Sequence, residues 1–190
     1  MRLRGVAGIV LALVMVACSA DYVDQSGATV LLVVQSINGG SPILSDVRGG
    51  DNNDVIINCV TSVGMTTILK NPGNPGNPNE TVILQRYDVS YVRSDGRAVE
   101  GVDVPYRFSA PMTVSVAPND QLKVSIDLVR HQAKLELPLS TITSLQIVEM
   151  TANVTFYGET ISRQTVSASG AATIRFADYA PGTTTCESGG

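Results

Sequence analysis

Gln121-Leu-Lys-Val-Ser-Ile-Asp-Leu-Val129 is the stretch whose reading decides the fold class. Leu122, Val124, Ile126 and Leu128 fall on one side of it, and Lys123, Ser125 and Asp127 on the other. A period of two is the pattern of a strand with one face in a core and one in water. Pro118-Asn119-Asp120 turns the chain into this run, and ahead of the turn Met112, Val114 and Val116 alternate with Thr113 and Ser115.

The same logic extends in both directions. Tyr87, Val89 and Tyr91 oppose Asp88, Ser90 and Val92, Arg93-Ser-Asp-Gly-Arg97 reads as a turn, and Val99 to Phe108 reads as the returning strand. Leu135 and Leu137 extend a strand pattern that Pro138 ends. Further on, Ala152, Val154 and Phe156 oppose Asn153, Thr155 and Tyr157, with turns expected at Gly158-Glu159 and Ser169-Gly170, and Ile174 and Phe176 close the series. Upstream, Thr29 to Ile37 is a Val- and Leu-rich run stopped by Asn38-Gly-Gly-Ser-Pro42. Ile43 to Val47 and Val55 to Val63 follow, separated by the turn cluster Gly49 to Asp54. Asn71-Pro-Gly-Asn-Pro-Gly-Asn-Pro-Asn79 lacks the donors a ladder needs and reads as a solvent loop. No apolar 3.6-residue period persists, and His131 to Leu139 is the single candidate for a short helix. About nine to eleven strands at this spacing predict an all-β protein, one antiparallel β-sandwich over residues 28–179. Val89, Val114, Val124, Ile126, Val154, Phe156, Ile174 and Phe176 are its expected inward residues.

Thr151-Ala-Asn-Val-Thr-Phe-Tyr-Gly158 leading to Ile174-Arg-Phe-Ala-Asp178 resembles the closing hairpins of immunoglobulin-like and fibronectin type III modules. The resemblance implies an immunoglobulin-like sandwich and carries no functional residues. The chain holds no Trp, so the tryptophan that packs in antibody-type domains is missing.

At the N-terminus, Arg2 and Arg4 precede an apolar run from Val6 to Val16, the pattern of a secretory signal peptide. A run of about eleven residues is too short to span a bilayer, which takes about twenty. It ends in Met15-Val16-Ala17-Cys18, which resembles the lipobox of bacterial lipoproteins. That resemblance implies removal of residues 1–17, acylation of Cys18, a short lipidated tether over 18–27 and attachment to the cell envelope. Ser19 stands where a retention Asp would stand, which by the same resemblance favours the outer membrane. The competing reading is an ordinary signal peptide cut near Ala17 or Ala20. Residues 180–190 read as a flexible Gly- and Thr-rich tail.

Removing residues 1–17 leaves 173 of 190 residues, and 11 basic against 17 acidic side chains, a formal charge of −6. That length fits one sandwich-sized domain. Nothing basic is clustered, so a nucleic-acid partner is not expected. Export makes a disulfide between the remaining cysteines, Cys59 and Cys186, the favoured state, with two unpaired thiols as the alternative. The pair would close a loop of about 128 residues, worth roughly 5 kcal/mol by chain entropy.

No catalytic, cofactor or metal set is identified. His131 is the one histidine, beside Arg130 and Lys134, and no Gly-x-Ser-x-Gly elbow occurs. Zinc ligands are not clustered. Asp51-Asn-Asn-Asp54, with Asp46 upstream, offers calcium-type oxygens but reads first as a turn. Glu100, Asp103, Glu136, Glu149 and Glu159 include no pair singled out for glycoside hydrolysis. The expected role is therefore a lipid-anchored, monomeric, non-catalytic binding or scaffolding module with an envelope protein or glycan as partner. Its candidate loops are Gly49 to Asp54 and Asn71 to Asn79, and a carbohydrate- or ligand-binding domain, calcium dependent or not, is the alternative.

Overall fold

The computed structural model describes residues 27–48, 56–73, 75–180 and 183–186. Cys18, the signal peptide and the Asp51 to Asp54 cluster lie outside the described residues. Eight strands form two packed sheets among them. They are β1 (Val30–Ile37), β2 (Ile43–Asp46), β3 (Cys59–Leu69), β4 (Val82–Arg93), β5 (Phe108–Val116), β6 (Gln121–Val129), β7 (Val148–Thr160) and β8 (Thr165–Ala177), with one short helix, α1 (His131–Leu135). One sheet has the order β1-β3-β6 and the other β2-β8-β7-β4-β5. This is an all-β sandwich in which every connection between consecutive strands except β4–β5 and β7–β8 passes from one sheet to the other.

Inward side chains of both sheets make one core. Val30, Leu32, Val63 and Met65 of the smaller sheet share it with Leu84, Val89, Val154, Phe156, Ile174 and Phe176 of the larger one, all buried. Tyr87 sits among them, its ring 5.9 Å from Phe156 and edge-on to Phe108 at 6.3 Å. Two of the expected inward residues, Val114 and Val124, are only half-buried. They belong to β5 and β6, the last strands of their respective sheets, so each has a neighbouring strand on one side only.

The sandwich is not wholly antiparallel, because β2 pairs with β8 in parallel, Ile43 opposite Ile174 and Asp46 opposite Ala177. The cause is local. Asn38, Gly39 and Gly40 take successive positive φ values of 52°, 61° and 84°, a conformation open chiefly to Gly and Asn. That kink carries the chain from the β1 edge to the opposite sheet without reversing its direction.

Four further expectations need correction. Val99 to Phe108 is a loop up to Arg107, where Val99 O accepts from the amides of Val102, Asp103 and Val104 at 3.2, 2.7 and 3.2 Å and Gly101 has φ 72°. Gly158-Glu159 and Ser169-Gly170 lie inside β7 and β8, whose register is unbroken from Val148 opposite Phe176 to Glu159 opposite Thr165. The third strand begins at Cys59 and runs on to Leu69, not from Val55 to Val63. At His131 the helical alternative prevails over a strand, and α1 stops at Leu135.

The register defines two ends. At the base, β1 begins and the β3–β4, β5–β6 and β7–β8 connections meet. At the crown, β8 ends and the β2–β3, β4–β5 and β6–β7 connections meet.

Candidate binding surfaces

The outer face of the five-stranded sheet collects polar side chains in rows, because the alternation that buries Tyr87, Val154 and Phe156 turns their neighbours outward. Asp88 pairs in register with Ser109 on β5 and Thr155 on β7, and Thr155 with Ser169 on β8. The row is hydrogen-bonded: Ser109 Oγ donates to Asp88 Oδ1 at 2.7 Å, and the Thr155 and Ser169 hydroxyls lie 2.9 Å apart. In the next row Arg86 stacks over Tyr157 at 4.0 Å from the ring centroid and reaches Asp88 at 3.2 Å. Ser90 and Asn153 face each other one row further on. Asp88, Ser90, Ser109, Asn153, Thr155 and Tyr157, with Arg107, line a depression of about 380 Å³. It offers a tyrosine ring that Arg86 covers on one face, a carboxylate, an amide and several hydroxyls.

The residues singled out from the sequence are mostly engaged in local structure. His131 is exposed at the start of α1, and its backbone N–H donates to Asn58 Oδ1 at 2.8 Å. Asp46 is buried and caps the following turn, accepting from the Arg48 amide at 2.9 Å. Each of the five carboxylates has its own partner. Glu100 meets Arg107 at 2.6 Å, Asp103 meets Arg97 at 3.4 Å, Glu149 meets Arg175 at 2.8 Å, Glu159 meets Arg163 at 3.3 Å, and Glu136 accepts from Gln132 at 2.8 Å. Among the described residues no group of three or more His, Cys, Asp and Glu is placed to hold a metal ion.

The described part of the Asn71 to Asn79 loop is tied down. Asn77 and Glu80 form a reciprocal capping box around the turn Pro78–Glu80. Asn79 O accepts from the Ser162 amide at 3.1 Å, which docks the loop on the β7–β8 turn.

Cys59 and Cys186 are joined by a disulfide, with Cα atoms 4.9 Å apart. The chain around Cys186 is bonded to both sheets: its amide donates to Leu44 O at 2.9 Å and its carbonyl accepts from Val60 at 3.4 Å. It therefore occupies the place beside β3 that β1 vacates on crossing to the other sheet. Between this tail and the β1–β2 turn a groove of about 400 Å³ runs over Val60 and Ser62.

Three features were not visible in the sequence. Tyr87 and Tyr91 of β4 reach across the sandwich to β6. The Tyr87 hydroxyl accepts from the Asp127 amide at 3.1 Å, and Tyr91 donates to Leu128 O at 2.7 Å. Leu128 is the extra residue of a bulge opposite Cys59 and Val60, so its carbonyl lacks a β3 partner. Burial pushes both phenols above their ordinary pKa, which keeps them neutral. The third is Lys134, buried in α1 with its ammonium donating to Ile57 O at 2.9 Å. Periodicity reports which face is buried, and it is silent on what a hydroxyl or ammonium reaches. Beyond the fold, no protein family and no curated protein matches this chain.

Proposed function

We propose that the protein is a non-catalytic binding or scaffolding module of the bacterial cell envelope, exported and held at the outer membrane by lipid on Cys18. The observation that carries this reading is the union of two parts. An apolar run ending in Met15-Val16-Ala17-Cys18 is followed by a cross-linked sandwich whose long strands hold outward side chains in fixed rows. Anchoring that lasts needs two acyl chains or an equivalent second signal, and a lipidated cysteine supplies them. A rigid platform on such a tether suits display or docking. A glycan-binding role is the second reading, favoured by the Tyr157, Asp88 and Asn153 depression, which combines an aromatic ring with directional hydrogen-bonding groups.

The test is Cys18→Ser in the full-length chain expressed in a bacterium. The parent should partition with the membrane fraction in a mature form, and the variant should remain an unprocessed precursor without lipid label. Equal processing and location of the two would reject the anchor in favour of ordinary signal-peptide cleavage.

A further inference from the structure

Ten large apolar side chains are strongly exposed among the described residues, and only Ile68 and Ile161 lie at the base. The other eight are on crown connections. Val99, Val102 and Tyr106 are on the β4–β5 loop, 53–66% exposed, and Ile57 precedes β3. Leu135, Leu137, Leu145 and Ile147 are on the β6–β7 connection, with Leu145 96% exposed. Scattered exposed leucines need no explanation, but concentration at one end of a domain does.

We propose that the crown is a membrane-contacting tip, and that its occupant is the interfacial layer of a lipid bilayer. Four observations favour lipid over protein. First, Leu145 stands at the tip of a closed turn and not in a hollow. The Gln146 amide donates to Thr143 O at 2.9 Å and the Gln146 side-chain oxygen accepts from the Thr143 amide at 3.3 Å. A convex apolar tip suits a deformable apolar phase, whereas a protein partner's anchor needs a pocket to fill. Second, these two bonds satisfy polar groups of the turn internally, which entry into an apolar layer requires. Third, residues 137–148 (Leu-Pro-Leu-Ser-Thr-Ile-Thr-Ser-Leu-Gln-Ile-Val) carry no charge at all, so inserting this segment strips water from no ion. Fourth, the charges beside it on the β4–β5 loop are mutually neutralised. Arg93 and Arg97 share Asp95, Arg97 also reaches Asp103, and Arg107 pairs with Glu100. Side chains placed this way enter the headgroup boundary to a depth of about 5–10 Å.

The crown contact is independent of lipidation, whose tether joins the opposite end of the sandwich at β1, and the chain from Ser19 onward tests the crown without the lipid. It retains both sheets, the disulfide and every described residue. Because the chain contains no Trp, Leu145→Trp gives a single fluorescent reporter at the tip. Vesicles of phosphatidylethanolamine with phosphatidylglycerol should carry the parent into the pellet. They should also shift the reporter's emission to the blue, with little change at high salt, since apolar burial and not charge drives the contact. Leu145→Asp with Ile147→Asp should lower the partition coefficient at least about tenfold without moving the melting midpoint. Ile161→Asp at the base should leave it unchanged. A parent that stays in the supernatant beside an unshifted reporter overturns the proposal, as does equal loss with Ile161→Asp. Self-association that ignores vesicles overturns it too, in favour of a second copy.

Discussion

At the scale of single residues, Thr61 shows how an inward position can carry a group the core does not use. It lies on the buried face of β3 between Cys59 and Val63, 5% exposed, and its hydroxyl has no hydrogen-bond partner. A buried hydroxyl without a partner bears its desolvation with nothing to offset it. Thr61→Val keeps the shape and the β-branching while removing that oxygen. Chemical denaturation should find the variant at least as stable as the parent, with a gain of up to about 1 kcal/mol. A loss of 1 kcal/mol or more would mean that water or a neighbouring carbonyl serves the hydroxyl. Tyr87 and Tyr91 are the opposite case. Their burial was legible from alternation, but the role of their hydroxyls depends on the bulge at Leu128, which leaves no trace in the pattern of apolar residues.

At the scale of elements, the strands were read well where the period was clean and badly where glycine intervened. Gly158 and Gly170 suggested turns, because glycine is the commonest punctuation of a β-rich chain. Both instead mark close approach within long strands. A Cβ on Gly158 would stand inside van der Waals contact of the Ile83 carbonyl on the neighbouring β4, next to the bulge at Gln85. On Gly170 it would stand 2.7 Å from Val34 Cγ1, where β1 packs across onto β8. The two differ in what must yield. Backbone in a hydrogen-bonded ladder cannot move without breaking pairs, while the end of a valine side chain can rotate. Gly158→Ala should therefore cost about 2–3 kcal/mol and Gly170→Ala about 1 kcal/mol. Equal costs, or the reverse order, would show that the cross-sheet contact and not the ladder sets the spacing. The outward rows of the larger sheet were legible as an alternation, but their assembly into a single polar depression depends on strand order, which periodicity does not encode.

At the scale of the molecule, the chain is held by a device that reaches from its third strand to its tail. The smaller sheet has only three strands, and β1 leaves it after Ile37, so the first residues of β3 lack a neighbour on that side. The stretch around Cys186 supplies one, bonded to β2 at the Leu44 carbonyl and to β3 at the Val60 amide. So short a segment would exchange freely with solvent if nothing else restrained it. The disulfide, whose cysteines stand 127 positions apart, makes that docking permanent and also restricts the unfolded chain. The chain-entropy figure of roughly 5 kcal/mol is comparable to the whole stability of a modest domain. Reduction, or Cys186→Ser, should lower the melting midpoint by roughly 10–20 °C, at about 2–4 °C per kcal/mol for a chain of this size. It should also quicken amide exchange at Val60, whose N–H loses its acceptor. Cys186→Ser is the cleaner variant, because Cys59 is completely buried and its replacement would disturb the core as well. A midpoint that does not move on reduction would place the stability of the sandwich in its core alone, and the tail would then be a passenger on the β3 edge.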